Sequence, residues 1–374
     1  MKNNITYVAM DTHKKDHKIA LHYPNDELVV TFAIKNSAAE IKKMVTKIKK
    51  KAPSDVKFCY EAGVCGFTLK RRIEALGCQC AVIAPSLIPI KPGERIKTDR
   101  RDALKLLSMF KAGLLTEVYA PNPQQEAARE LSRCRQTAME NLKRIRHQIL
   151  KFLIRHGYVY TDGNHWTKKH IQWIKSLEFD QPLLAEVFDC YFTEMNHCLQ
   201  RLQSLDKELE KIAQTLPYKE MVGIIRCLHG IDTLTAITII TEIFEFGRFA
   251  DPNAMMSYLG LTPSENSSGQ KQAKGSITKT GNKRVRRLLV ETSWHYRHRY
   301  NPNSNALRLR RKDQPQWAIN LADKAAQRLR KRYWYLIDHG KSPCIANVAV
   351  ARELAGFIWA IFKEYQIRNQ KTAA

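Results

Sequence analysis

The chain has 374 residues, of which 62 are Lys or Arg and 36 are Asp or Glu, for a formal net charge of +26. With 44% hydrophobic residues it can bury two or three cores, which excludes wholesale disorder, and its charge calls for a polyanionic partner. The longest apolar stretch near the end, residues 354–362, is nine residues against the roughly 20 that span a bilayer, so no membrane partner is expected.

The N-terminus, MKNNITYVAMDTHKKD, carries Asp11 and Asp16 and no long apolar core, so no secretory signal is expected. Three β-rich runs follow at 5–10, 18–23 and 28–34, the last two divided by the turn residues Pro24, Asn25 and Asp26, which predicts an antiparallel meander. Residues 37–51 place Ile41, Met44, Val45 and Ile48 at helical spacing, and 56–61 predict a short strand. A helix over 67–76, a strand over 80–84, a Pro-rich loop to Lys97 and a helix over 99–112 complete the order βββαβαβα. That is the order of a ribonuclease-H-like mixed sheet with flanking helices, an α+β class.

Asp11 and Glu61 then end neighbouring strands, while Asp99 and Asp102 open a helix three residues apart and share a face. Four carboxylates at one spot repel unless cations sit among them, and two Mg²⁺ ions about 4 Å apart would satisfy them and activate a phosphodiester. Arg95, Lys97, Arg100 and Arg101 crowd the same loop, as expected where phosphate approaches. Taken singly, Asp99 and Asp102 also read as ordinary helix-capping acids.

On a helix from about 124 to 156, Ala138, Leu142, Ile145, Ile149 and Phe152 are spaced 4, 3, 4, 3. A second helix carries Leu184, Phe188, Tyr191, Met195, Cys198, Leu202, Leu205, Leu209, Ile212 and Leu216 in the same alternation. This coiled-coil pattern predicts an antiparallel helical hairpin or a dimerising coil. Its tip, 158–182, mixes Tyr160, Trp166 and Trp173 with Lys168, Lys169 and Lys175, a set that either stacks on nucleic acid or packs the turn.

From about Met221 the chain reads as mostly helical, interrupted by a Gly- and Ser-rich stretch over 260–281. The segment LHGIDTLTA at 228–236 resembles a helix-hairpin-helix element, whose amides hold phosphate. Its usual second glycine is here Asp232, an acid suited to capping the next helix. Between 271 and 335, eighteen Lys or Arg face only Glu291, Asp313 and Asp323, so fifteen of the 26 net charges fall in 65 residues. Such a single-sign block tracks phosphates, with Lys271, Lys274, Lys279, Lys283, Arg284, Arg286 and Arg287 as candidate contacts. The serines of GLTPSENSSG at 260–269 read either as turn formers or as a nucleophile. The arginines offset developing charge there, but no histidine lies in the loop to take the proton. Nine scattered cysteines without a CxxC pair predict reduced thiols in a cytoplasm rather than a zinc site.

AMDTHK around Asp11, CYEAG around Glu61, KTDRRDA holding Asp99 and Asp102, and GLTPSENSSG followed by GSITKTGN, in that order, resemble the insertion sequence 110 family of transposases. The resemblance covers nearly the whole chain. It implies a DEDD domain like the RuvC resolvase over 1–122, a coiled-coil middle region over 123–217 and a C-terminal transposase domain over 218–374. It also implies a recombinase that excises and inserts its own element between double-stranded donor and target DNA, guided by a structured non-coding RNA, the bridge RNA. By the same resemblance Asp11, Glu61, Asp99 and Asp102 bind Mg²⁺ and are catalytic, and Ser268, beside Ser267, attacks DNA to form a phosphoserine link. Dimers would pair into tetramers, with acids and serine of one site drawn from different protomers, in a prokaryotic cytoplasm and on the nucleoid when active. Two other readings stay open on the residues alone. One is a metal-dependent, structure-selective nuclease of the junction-resolving type, which needs only the acids and water; the other is a non-enzymatic nucleic-acid-binding scaffold.

Overall fold

The computed structural model describes residues 4–24, 26–89, 99–265 and 273–373, with the backbone alone at 99, 100, 372 and 373. The chain divides into two compact units, Met1–Asn122 and Pro123–Ala374.

The first unit is mixed α/β. Strands β1 (Thr6–Thr12), β2 (Asp16–His22) and β3 (Val30–Lys35) form the expected antiparallel meander. Helix α1 (Ala38–Lys51) leads to β4 (Val56–Glu61), α2 (Thr68–Glu74) to β5 (Gln79–Ile83), and α3 (Asp99–Lys111) closes the series. The sheet order is β3-β2-β1-β4-β5, with β4 parallel to both β1 and β5. The βββαβαβα order is thus observed, with element ends within a few residues of expectation. Of the Pro-rich loop, residues 90–97 lie outside the described residues.

Period-two alternation decides what each sheet face covers. Val8, Met10, Phe58 and Tyr60 point to the face where Ile41, Met44, Val45 and Ile48 of α1 and Leu69 and Ile73 of α2 are buried. Ala9, Ala20 and Cys59 point to the other face, against Ala103, Leu106 and Leu107 of α3. Small residues there let α3 approach the sheet closely. Helix α1 starts where Ser37 accepts a hydrogen bond from the Glu40 N–H at 3.2 Å, and it ends on Lys49, Lys50 and Lys51, which complement the helix dipole.

The second unit opens with α4 (Pro123–Arg155), a tip helix α5 (Lys168–Lys175) and α6 (Pro182–Ala213). Helices α4 and α6 run antiparallel: Arg135 pairs with Asp206, and Phe152 stacks on Phe188 at 6.2 Å. The 4, 3 positions of α4 are all buried, and Phe188, Met195, Cys198 and Leu202 of α6 close the seam. Leu216 departs from expectation: it lies past the end of α6 and is 74% exposed. At the tip, His170 is fully buried among Tyr160, Trp166 and Trp173, and its Nδ1 accepts from the Trp166 N–H at 2.8 Å. Of the two readings of those aromatics, packing of the turn is the observed one.

Helices α7 (Tyr218–Ile225), α8 (Thr233–Ile243), α9 (Pro252–Tyr258), the strand pair β6 (Pro263–Glu265) and β7 (Lys274–Ile277), and helices α10 (Lys283–Ser293), α11 (Asn305–Arg311), α12 (Gln316–Asp338) and α13 (Pro343–Ala373) complete the chain. Their shared core centres on α13, whose Val350, Leu354, Ile358 and Ile361 are fully buried and whose Phe362 stacks on Phe246 at 3.7 Å. Each such side chain contributes about 1.5–3 kcal/mol through burial. By length and composition the stretch Pro343–Lys371 is apolar enough to cross a membrane, unlike the expectation drawn from its longest unbroken apolar run. Half of its most apolar window is buried inside the protein, as in a core helix.

Candidate active site

In the first unit, parallel pairing of β1 with β4 matches Met10 to Tyr60, so Asp11 and Glu61 are the next pair in register at the ends of adjacent strands. Both share the parity of Ala9 and Cys59 and so face the α3 side. Phe110, near the end of α3, meets Tyr7, near the start of β1, edge-on at 5.5 Å, while Ala103, Leu106 and Leu107 earlier in α3 pack with Ala9 farther along β1, so α3 lies along β1 in the opposite sense. From Tyr7 to Asp11 the strand advances about 13 Å, and from Phe110 back to Asp102 the helix returns about 12 Å. The acidic end of α3 is therefore carried to the same end of the sheet as Asp11 and Glu61. Asp102 lies one turn before Leu106, on the stripe that packs on the sheet.

Asp11, Glu61 and Asp102 are each partly buried, and Asp11 Oδ2 lies 3.2 Å from His13 Nε2. The side chains of Asp99 and Arg100 lie outside the described residues; Arg101 is exposed. Among the described residues no group of three or more His, Cys, Asp or Glu side chains is gathered to hold a metal ion by itself. The donor chemistry nevertheless fits a hard divalent cation, since all three described acids offer carboxylate oxygen.

In the second unit, Ser267, Ser268 and Lys271 lie outside the described residues, within the connection 266–272 of the β6–β7 hairpin. The base of that hairpin is clamped. The Thr278 N–H donates to the Thr262 carbonyl at 2.9 Å, the Lys279 N–H to the Gly260 carbonyl at 3.1 Å, and Arg286 Nη1 to the Leu259 and Thr280 carbonyls at 2.8 and 2.6 Å. Gly281 has φ +64°, and a Cβ there would overlap the Tyr258 carbonyl, so the two chain segments touch backbone to backbone. Lys274, Lys279 and Lys283 are exposed around this base, Arg287 pairs with Glu291 at 3.6 Å, and Arg284 lies 3.9 Å from Glu242.

Sequence reasoning missed Glu242. Its carboxylate, 1% exposed on α8, accepts from Arg133 Nε and Nη2 of α4 at 2.7 and 3.0 Å and from Asn282 Nδ2 at 2.9 Å. Asn282 in turn caps α10 by accepting from the Arg284 and Val285 N–H groups. Burial alone would push the Glu242 carboxyl up, but the hydrogen bonds from Arg133 and Asn282 outweigh it and hold the group below its ordinary value. The available signal was one acid inside the apolar run TLTAITIITEI, a residue that must find a partner.

The turn between α7 and α8 is also fixed. Asp232 caps α8, accepting from the Thr235 N–H at 2.7 Å, while Arg310 donates to the Ile231 carbonyl at 2.6 Å and Arg311 to the Cys227 carbonyl at 3.0 Å. Beside it, burial pushes His229 from 6.5 down to about 4, with the cations of Arg310 and neighbouring histidines acting in the same direction. The unfolded chain therefore binds a proton that the folded chain refuses as pH falls below 6.5. Denaturant unfolding should accordingly show a loss of up to about 2–3 kcal/mol between pH 7 and pH 4 that is absent in His229→Asn. An unchanged pH slope in that variant would contradict the assignment.

A transposase family model of the DEDD type for IS110 elements matches residues 8–157, and the model of the Transposase IS116/IS110/IS902 family matches 223–308. A putative transposase of Sinorhizobium fredii, y4qE, is 38% identical over 364 residues, covering 96% of this chain and 88% of the relative. The transposase for insertion sequence element IS1533 of Leptospira borgpetersenii is 33% identical over 341 residues, covering 89% and 96%. The transposase for element IS1111A of Coxiella burnetii is 22% identical over 223 residues, covering 59% and 60%. With acids at the ends of adjacent strands, a basic region around a clamped hairpin and these matches along its length, the chain belongs to the IS110 family of transposases.

Proposed function

We propose that this transposase is an RNA-guided DNA recombinase in which Ser268 is the nucleophile. Ser268 Oγ forms a bond to a DNA phosphorus, the P–O bond to one strand breaks, and the leaving sugar hydroxyl takes up a proton. The phosphoserine link keeps the phosphodiester energy for rejoining to a second duplex. Asp11, Glu61, Asp99 and Asp102 would hold Mg²⁺, which supplies charge stabilisation at the reacting phosphate. The observation that carries this reading is that Asp11 and Glu61 directly follow the matched residues Met10 and Tyr60 at adjacent strand ends, on the sheet face that α3 covers.

Lys271, Lys274, Lys279, Lys283 and Arg287 with Arg100 and Arg101 are the proposed phosphate contacts; Arg284 and Arg286 join them while also bracing the scaffold. We read residues 123–217 as a coiled-coil middle region and the α7–α8 turn as a helix-hairpin-helix element within a third domain, 218–374. A structured non-coding RNA selects donor and target DNA, and dimers pair into tetramers in the cytoplasm, acids and serine coming from different protomers.

The test mixes full-length protein with donor and target DNA, the RNA transcribed from DNA flanking its gene, and Mg²⁺. Wild type should give a protein–DNA adduct that survives denaturing electrophoresis, and Ser268→Ala should lose both adduct and recombinant product while still binding DNA. Recombination by a Ser267→Ala, Ser268→Ala double variant would overturn the serine role. Cleaved DNA with free 5′-phosphates and no adduct in the wild type would favour a junction-resolving nuclease instead.

A further inference from the structure

We propose that one flank of α12 is a stacking site for an unpaired nucleotide of single-stranded nucleic acid. The site is a groove of about 770 Å³ between α12 and residues 299–300. Helical spacing builds it: Arg330 with Lys331, Trp334 with Tyr335, and Asp338 recur on a flank beside the stripe Ala322, Ala326, Leu329 and Tyr333 that faces the core. Tyr333 is buried, whereas Trp334 is 42% and Tyr335 49% exposed.

Two adjacent large aromatic rings in water need a reason, and neither is loose. Trp334 Nε1 donates to the Arg297 carbonyl at 3.1 Å, which satisfies the indole's polar edge and fixes the ring. Tyr335 stacks on His339 with centroids 4.0 Å apart. Across the groove Tyr300 is held by its hydrogen bond to Asp323. The rim carries Arg299, Arg330 and Lys331 against one acid, Asp338. A fixed aromatic surface bordered by cations matches a base with its phosphate. A duplex keeps its bases stacked on one another and offers no free face, so the occupant is unpaired.

The inference rests on nucleic acid being this protein's partner and deepens the recombinase reading, but its test needs neither strand exchange nor Ser268. Fluorescence anisotropy would compare full-length wild type and Trp334→Ala on short labelled oligo(dT), oligo(rU) and a duplex of equal length. Trp334→Ala should weaken single-strand binding about tenfold and duplex binding less than about twofold, and Trp334→Phe should restore most of the loss. Tyr335→Ala should give the same pattern and serves where the first variant is poorly folded. Loss confined to oligo(rU) or to oligo(dT) would assign the groove to RNA or to DNA. Unchanged single-strand affinity in both variants, or an equal loss on duplex, would overturn the proposal.

Discussion

Asp11→Asn and Glu61→Gln should each slow strand exchange about 10³-fold or more while DNA affinity holds. The chemical loss follows from the proposed cation site, which each change would deprive of one carboxylate and which would supply several kcal/mol of transition-state stabilisation, at 1.36 kcal/mol per tenfold. Asp11 and Glu61 end adjacent strands on one face, so each substitution alters the same end of the sheet. Asp16→Asn is the control, since Asp16 lies at the start of β2 and pairs with Lys18 at 3.1 Å. It should leave exchange unchanged. Exchange surviving in both Asp11→Asn and Glu61→Gln would remove the acids from the mechanism.

Glu242→Ala should destabilise the second unit by about 2–3 kcal/mol, since a buried carboxylate is removed from a half-buried Arg133 and from Asn282. The alanine would leave Arg133 and Asn282 without their shared acceptor at the meeting of α4, α8 and the start of α10. The folded carboxyl titrates below its ordinary value, so its stabilisation is complete above that ordinary value and is lost as pH falls through the folded one. The gap between wild type and Glu242→Ala in denaturant unfolding should thus be widest near neutrality and shrink in acid. An Arg133→Met, Glu242→Leu pair should recover part of the loss, because volume-matched apolar residues replace a buried pair at little cost. A neutral-pH difference below about 1 kcal/mol would show that the network is incidental.

Much of the first unit was legible because each strand alternates between two covered faces, and the helical spacing of Ile41, Met44, Val45 and Ile48 admits one buried stripe. The strand-end acids were legible for the same reason: once strand order is known, register places Asp11 beside Glu61. Glu242 was harder, because Arg133 lies 109 residues away and nothing local marks the pair. Spacing also overran at Leu216, where the 4, 3 rhythm continues past the helix that carries it. Neighbours Tyr333 and Trp334 differ little as residue types, yet one turns to the core and the other to water. Only the packing direction of α12 separates them.

The central place of α13 sets an order of events during synthesis. Every strand of the first sheet lies before residue 84, so that sheet has all its partners early in translation. Helix α13 is made after everything it packs against in the second unit, and until it emerges the apolar faces of α9, α10 and α12 lack their cover. In that interval the nascent chain presents both an open hydrophobic groove and an unsheathed apolar helix, the kind of surface that chaperones recognise. Completion of this unit therefore waits on the emergence of α13 from the ribosome.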